Sequence, residues 1–172
     1  ALGRATDACD VLITSGGVSV GDADYIVERI RQHGELAFWR LNLKPGKPLA
    51  FGQIRKRWIF GLPGNPISTI ITALLVAKPA IAHLAGTTMS TPMKIPAILK
   101  SSITHTTGRT EYQRGQFEFD DNGYTVTHTG EQGSNRLSSF RHANCLIEID
   151  KTQGDMQIGD PVLILPLTNL LH

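Results

Sequence analysis

Acidic residues are missing from the interval 36–110, while Arg40, Lys44, Lys47, Arg55, Lys56, Arg57, Lys78, Lys94, Lys100 and Arg109 all fall inside it. The net charge of +2 hides this asymmetry, and a basic field of that extent favours an anionic ligand. Aromatics make up only 6% of the chain. The cations lack both aromatic interleaving and a reader motif, and Arg55-Lys56-Arg57 reads as a hairpin tip, so nucleic acid is not the expected partner. Cysteine is scarce: Cys9 and Cys145 are the only 2, and they lie too far apart for metal-ligand spacing. With no secretory signal pattern, that leaves packing roles in a reduced, cytoplasmic setting as the expectation. The 6 histidines show no paired metal spacing. No apolar run reads as long enough to cross a membrane, so no membrane partner is expected. Internal repeats, low-complexity tracts, a Walker loop and GxGxxG are also absent. At 172 residues and 41% hydrophobic, the chain can bury the core of one or two small domains.

What the chain does have is three small-residue turns, each following an apolar run. Residues 10–25 read DVLITSGGVSVGDADY. A short strand, Val11 to Ile13, runs into Ser15-Gly16-Gly17, where small residues allow a ligand close to the backbone, and Ser19 adds a hydroxyl. Asp22 or Asp24 can then cap a helix from Tyr25. Residues 43–51, LKPGKPLAF, present Lys44 and Lys47 from one stiff turn. Residues 59–68, IFGLPGNPIS, place Asn65 as N-cap with Pro66 at the first helical position. Such a helix start, with its free N–H groups and dipole, favours an anion. Each turn alone is compatible with plain structure: a tight connection, a solvated loop, a capped helix. Together they point to one ligand cleft at strand ends.

The combination SGGVSVGDADY, KPGKP and GLPGNP closely resembles the molybdopterin molybdenumtransferases, the MoeA proteins and the matching domain of gephyrin; Gln113-Arg114-Gly115 and Gln132-Gly133-Ser134 also look like family segments. The resemblance implies a late step of molybdenum cofactor synthesis. Adenylylated molybdopterin is bound, molybdate is inserted at its dithiolene, and AMP is released with Mg²⁺ or a similar divalent cation assisting. It further implies that Ser15, Gly16, Gly17 and Ser19 contact the pterin phosphate, with Arg40, Lys44, Lys47, Pro63, Gly64, Asn65, Pro66 and Ser68 completing substrate binding. Lys44, Lys47, Arg114 and Ser134 would hold molybdate. Asp24 is the implied catalytic carboxylate and metal ligand, beside Lys44 as the second catalytic residue; the alternative for Asp24 is a helix cap, with Asp22 the better reading for that role. Arg40 keeps the charge where related proteins often have Lys, although a planar fork and a point ammonium are not interchangeable. Ser68 could equally be a plain helix-start serine, and Arg114, in alternation with Tyr112, an outward strand residue. The alternative in function is a non-catalytic module that binds the pterin ligand.

A break near 86–92 divides the chain. Before it, strands are expected over 11–14, 37–43, 49–54 and 58–60, with a helix over 25–33. A long helix from Pro66 carries Ile67, Ile70, Ile71, Leu74, Leu75, Ile81 and Leu84 on its core face, is bent at Pro79 and ends at Gly86. After it come short β-prone runs at 95–99, 116–119, 124–128, 145–149 and 162–165. The expected architecture is a partial three-layer α/β domain over 1–88 and a small all-β, barrel-like domain over 89–172. Because the α/β unit opens in mid-course, the resemblance implies a C-terminal fragment of a homodimeric protein, not sufficient for turnover by itself.

Overall fold

Alternating apolar runs and Gly, Pro and Asn punctuation become two units in the computed structural model, which describes residues 5–18, 25–87, 92–121, 123–133 and 137–171. One unit comprises Ala1–Leu41 with Gly46–Met89, the other Asn42–Pro45 with Ser90–His172. Residues 42–45 therefore group with the C-terminal part of the chain although they lie inside the first half of the sequence.

In the first unit, β1 (Val11–Ser15), β2 (Gly34–Trp39), β4 (Ala50–Ile54) and β5 (Arg57–Leu62) form a sheet in the order β1-β5-β4-β2. β1 runs parallel to β5, and the other pairs are antiparallel. Arg55 and Lys56, at φ 52° and 64°, make the two-residue loop between β4 and β5. Positive φ at both positions matches the right-handed twist of the flanking strands. The expected strand over 37–43 is instead β2 over Gly34–Trp39, ended by Arg40 at φ 121°.

Helix α1 (Tyr25–His33) buries Val27 and Ile30, which join Val18, Ala50, Ile54 and Ile59 in one core cluster. Helix α2 (Pro66–Thr72) continues through a π-helical turn (Ala73–Ala77) into α3 (Lys78–Leu84). The Lys78 N–H reaches the Ala73 carbonyl, so the ladder widens just ahead of Pro79, which has no N–H to give. Gly86, at φ 76°, ends the helix as expected. The 19 residues Pro66–Leu84 are long and apolar enough, by length and composition alone, to cross a membrane, which corrects the expectation that no run reaches that length. Part of this stretch is core: Ile67 and Ile71 are fully buried, and Ala77 packs with Leu49, Phe60 and Leu62.

The second unit is a closed five-stranded barrel. Strands β7 (Thr110–Asp120), β8 (Gly123–His128), β6 (Ile95–Leu99), β10 (Pro161–Pro166) and β9 (Cys145–Ile149) pair in that order, and a β7–β9 pairing closes the ring. β3 (Leu43–Lys44) adds in parallel to the start of β7, pairing Leu43 with Thr110 and Lys44 with Glu111. A short helix, α4 (Leu167–Leu171), follows β10. Period-2 alternation turns Ala97, Leu99, Val126, Ile147, Ile149, Val162 and Ile164 into the barrel core. Gly115 sits inside it, where a Cβ would come within 2.8 Å of the Ile147 side chain and 3.0 Å of Val126. Cys145 is buried in the same core and burial pushes its thiol up to about 12, fitting the expected packing role.

Candidate functional site

Strand register assembles the first part of the site. Trp39 pairs with Ala50, Ala50 with Gly61, and Gly61 with Thr14, one row across all four strands. One step beyond that row lie Arg40 after β2, Leu49 before β4, Leu62 at the end of β5 and Ser15 at the end of β1; the Arg40 N–H donates to Leu49 and Leu62 pairs with Ser15. The Ser15-Gly16-Gly17 turn, Pro63 to Pro66, Arg40 and the Lys47 segment therefore all emerge from one end of this sheet. Three strand spacings of about 4.8 Å spread them over roughly 14 Å, the span of an elongated ligand.

The two glycine turns touch. The Gly16 N–H donates to the Leu62 carbonyl at 3.0 Å, the Ser15 hydroxyl to the Pro63 carbonyl at 3.4 Å, and a Cβ on Gly64 would lie 3.5 Å from the Gly16 Cα. Gly16 and Gly17 have φ 85° and 73°, the left-handed region that glycine enters without steric cost. Val18, 1% exposed, then anchors the chain in the core. Ser19 and Asp24 lie outside the described residues.

At the start of α2 the Asn65 side chain accepts from the Ile67 N–H at 3.2 Å, with Pro66 at the first position. Asn65 is thus the cap the sequence predicts. The Pro63 carbonyl accepts a second hydroxyl, that of Thr69, so Pro63 shapes the turn through its backbone. Ser68 is 6% exposed, buried under the helix start. Arg40 is fixed from two sides. Its φ of 121° is costly for a residue with a side chain, and its guanidinium stacks 4.1 Å from the Trp39 ring centroid. Lys47 is exposed, and its carbonyl accepts from the Leu41 N–H at 2.8 Å.

The second unit carries the remaining basic residues, and it does not join them to each other. The Lys44 ammonium donates to Glu111 Oε2 at 2.9 Å. Glu111 is 3% exposed, accepts also from Gln113 Nε2 at 3.2 Å, and lies 3.8 Å from His105 Nε2. Arg114, three residues on, leaves the opposite face of β7 by alternation. Gly115 next to it faces the barrel core, so Arg114 does point outward from the strand, yet it is completely buried. Its Nε donates to Ser139 at 3.0 Å and its Nη2 to the carbonyls of Glu131 and Gly133 at 3.4 and 3.3 Å. Its own backbone exchanges hydrogen bonds with the Gln132 side chain. Burial draws the guanidinium below its usual range and Glu111 opposes that shift. Of the guanidinium nitrogens, Nη1 is buried with no hydrogen-bond partner among the described residues, and an oxyanion there would offset its desolvation. Ser134 lies outside the described residues, next in sequence to the Gly133 that receives Arg114.

Residues 1–83 match the family described as "Probable molybdopterin binding domain", and residues 96–167 match "MoeA C-terminal region (domain IV)". The chain belongs to the MoeA family. It is 38% identical over 169 residues to the molybdopterin molybdenumtransferase of Haemophilus influenzae, covering 97% of this chain and 42% of that protein. It is 33% identical over 187 residues to gephyrin of Dictyostelium discoideum, covering 93% and 26%. The crystal structure of the molybdopterin biosynthesis MoeA protein from Pyrococcus horikosii superposes with a TM-score of 0.75 at 27% identity, over 96% of this chain and 39% of that one. The chain thus spans between 26% and 42% of the length of these MoeA-family relatives. Glu111 and His105 were not singled out from the sequence as site residues. An acid and a histidine within an otherwise unremarkable polar stretch give no local signal, and only the pairing of β3 with β7 reveals their place next to a KPGKP lysine.

Proposed function

We propose that this chain supplies part of the ligand site of a molybdopterin molybdenumtransferase: binding of adenylylated molybdopterin, insertion of molybdate at the dithiolene, and release of AMP. The observation that carries the reading is the row of paired residues that sends two touching glycine turns, Arg40 and the Lys47 segment out of one sheet end, in a chain whose relatives are named for this transfer. Ser15, Gly16, Gly17, Pro63 and Gly64 would form the floor against a phosphate-bearing ligand, with the Asn65 cap holding the second turn rigid. Arg40 and Lys47 would meet its charge. Preorganised cations and fixed backbone are the catalytic device expected of such a site.

Lys44 and Arg114, with Ser134, are proposed for molybdate, Arg114 through Nη1. Asp24 is proposed as the carboxylate that would hold a divalent cation against the ligand's phosphates. Among the described residues no group of three or more His, Cys, Asp or Glu could hold a metal. A cytoplasmic homodimer is proposed on the same footing, and the free thiols Cys9 and Cys145 are in keeping with a reducing compartment.

The test is a titration of the full-length protein with adenylylated molybdopterin, with and without molybdate and Mg²⁺, following AMP. Binding that Lys47→Ala weakens, with AMP formed only when molybdate is present, is the expected result. Binding without AMP release would make this chain a ligand-binding module only. Loss of both would overturn the proposal.

A further inference from the structure

Most of the cluster around Glu111 is unused by the functional reading, yet it is built with unusual care. A carboxylate 3% exposed is costly unless its charge is matched. Here one oxygen takes the Lys44 ammonium at 2.9 Å, with His105 Nε2 3.8 Å from that same oxygen, and the other takes Gln113 Nε2 at 3.2 Å. The histidine side chain is fully buried and its two ring nitrogens face the carbonyls of Gln153 and Arg109, each at 3.0 Å. The ion pair is also set by backbone register. Lys44 and Glu111 are directly paired across β3 and β7, and the Thr110 N–H donates to the Asn42 carbonyl. The lysine side chain is nevertheless 44% exposed, so its ammonium is held on the Glu111 side while part of the side chain stays open to solvent.

From this we infer that Glu111 is a positioning residue: a buried carboxylate that fixes the Lys44 ammonium before any anion arrives. A free lysine must give up most of its side-chain rotamer freedom when it binds an oxyanion. Held by Glu111, Lys44 has given it up already, and affinity gains accordingly. The opposing effect is Coulombic, because a carboxylate near the site repels the same anion. Matching by Lys44, and the fixed geometry of the cluster, make positioning the larger of the two. This inference rests on the reading of Lys44 as a molybdate-binding residue.

The experiment uses the full-length protein carrying Glu111→Gln, Glu111→Asp, Lys44→Ala or Lys44→Ala with Glu111→Gln. Molybdate Kd is measured by equilibrium dialysis, KM for molybdate and kcat by AMP release, and folding by thermal melting. Glu111→Gln is expected to weaken molybdate binding roughly three- to thirtyfold, raising KM while kcat changes little. Glu111→Asp, which keeps the charge on a shorter stem, should recover part of the loss. In the Lys44→Ala background Glu111→Gln should add nothing. A merely structural carboxylate would instead lower the melting temperature and kcat, leave molybdate Kd alone, and act equally in both backgrounds. That outcome, or tighter binding in Glu111→Gln, would overturn the inference by itself. A wild type indifferent to molybdate, or Lys44→Ala without effect on Kd, would overturn the functional reading and this inference with it.

Discussion

Arg114 concentrates the site's tension between stability and binding in one side chain. Its side chain donates to Ser139, Glu131 and Gly133, and its Nη1 has no partner among the described residues. A guanidinium offers five donors in a planar fork, and an ammonium offers three from a point. Arg114→Lys keeps the charge but cannot serve three acceptors set around a plane. The loss should be about 2–3 kcal/mol, from strained or unmade hydrogen bonds in a buried site. Chemical denaturation should show that loss as a lower midpoint with an unchanged slope. A midpoint equal to wild type would mean that the hydrogen bonds around Arg114 contribute nothing and that the side chain is held for the ligand alone. Arg40 shows the same tension in its backbone, since φ 121° is an expensive conformation for a residue that could have been glycine. The stacking on Trp39 offsets part of that cost and keeps the cation at the end of the sheet.

At the scale of elements, local signals were readable and distant ones were not. Asn65 and Pro66 announce α2 because a cap and a first-turn proline act within three residues. Arg55-Lys56 reads as a hairpin tip because it sits between two apolar runs. The start of β7 was hidden: Glu111, Gln113 and Arg114 are buried and polar, so only 116–119 reads as strand, whereas the strand runs from Thr110 to Asp120. Residues that break a local rule are where function and strain are expected to gather. Likewise 37–43 reads as one strand, because nothing in the sequence shows that Arg40 takes positive φ or that Leu43 and Lys44 pair with a strand 67 residues away. The cap itself is testable. Asn65→Ala removes the acceptor of the Ile67 N–H and should destabilise the first unit by about 1 kcal/mol. Hydrogen exchange should show faster opening confined to the first turn after Pro66. Uniform loss of protection across the unit would mean that Asn65 does more than cap.

Across the whole molecule, charge is less concentrated than the acid-free interval suggests. Among the described residues, acids from outside the interval pair with Lys44 (Glu111), Arg55 (Asp7), Arg57 (Asp10), Lys94 (Glu148) and Lys100 (Asp120). Apart from Lys44, these pairs are at least partly open to solvent and are worth little for stability. Their effect is on the field, because each cancels a charge that would otherwise steer anions. Arg40 and Lys47, at the end of the sheet, have no ion pair among the described residues. If anion capture rests on those two cations, affinity for adenylylated molybdopterin should fall only modestly with added salt. At 0.15 M the screening length is already about 8 Å, and exposed charges beyond that range have little left to lose. Titrations between low and high salt should then give a shallow slope for the wild type and a nearly flat one for Lys47→Ala. A steep slope that survives Lys47→Ala would show that the ligand is gathered by the basic interval as a whole, with the sheet end only one contributor among many.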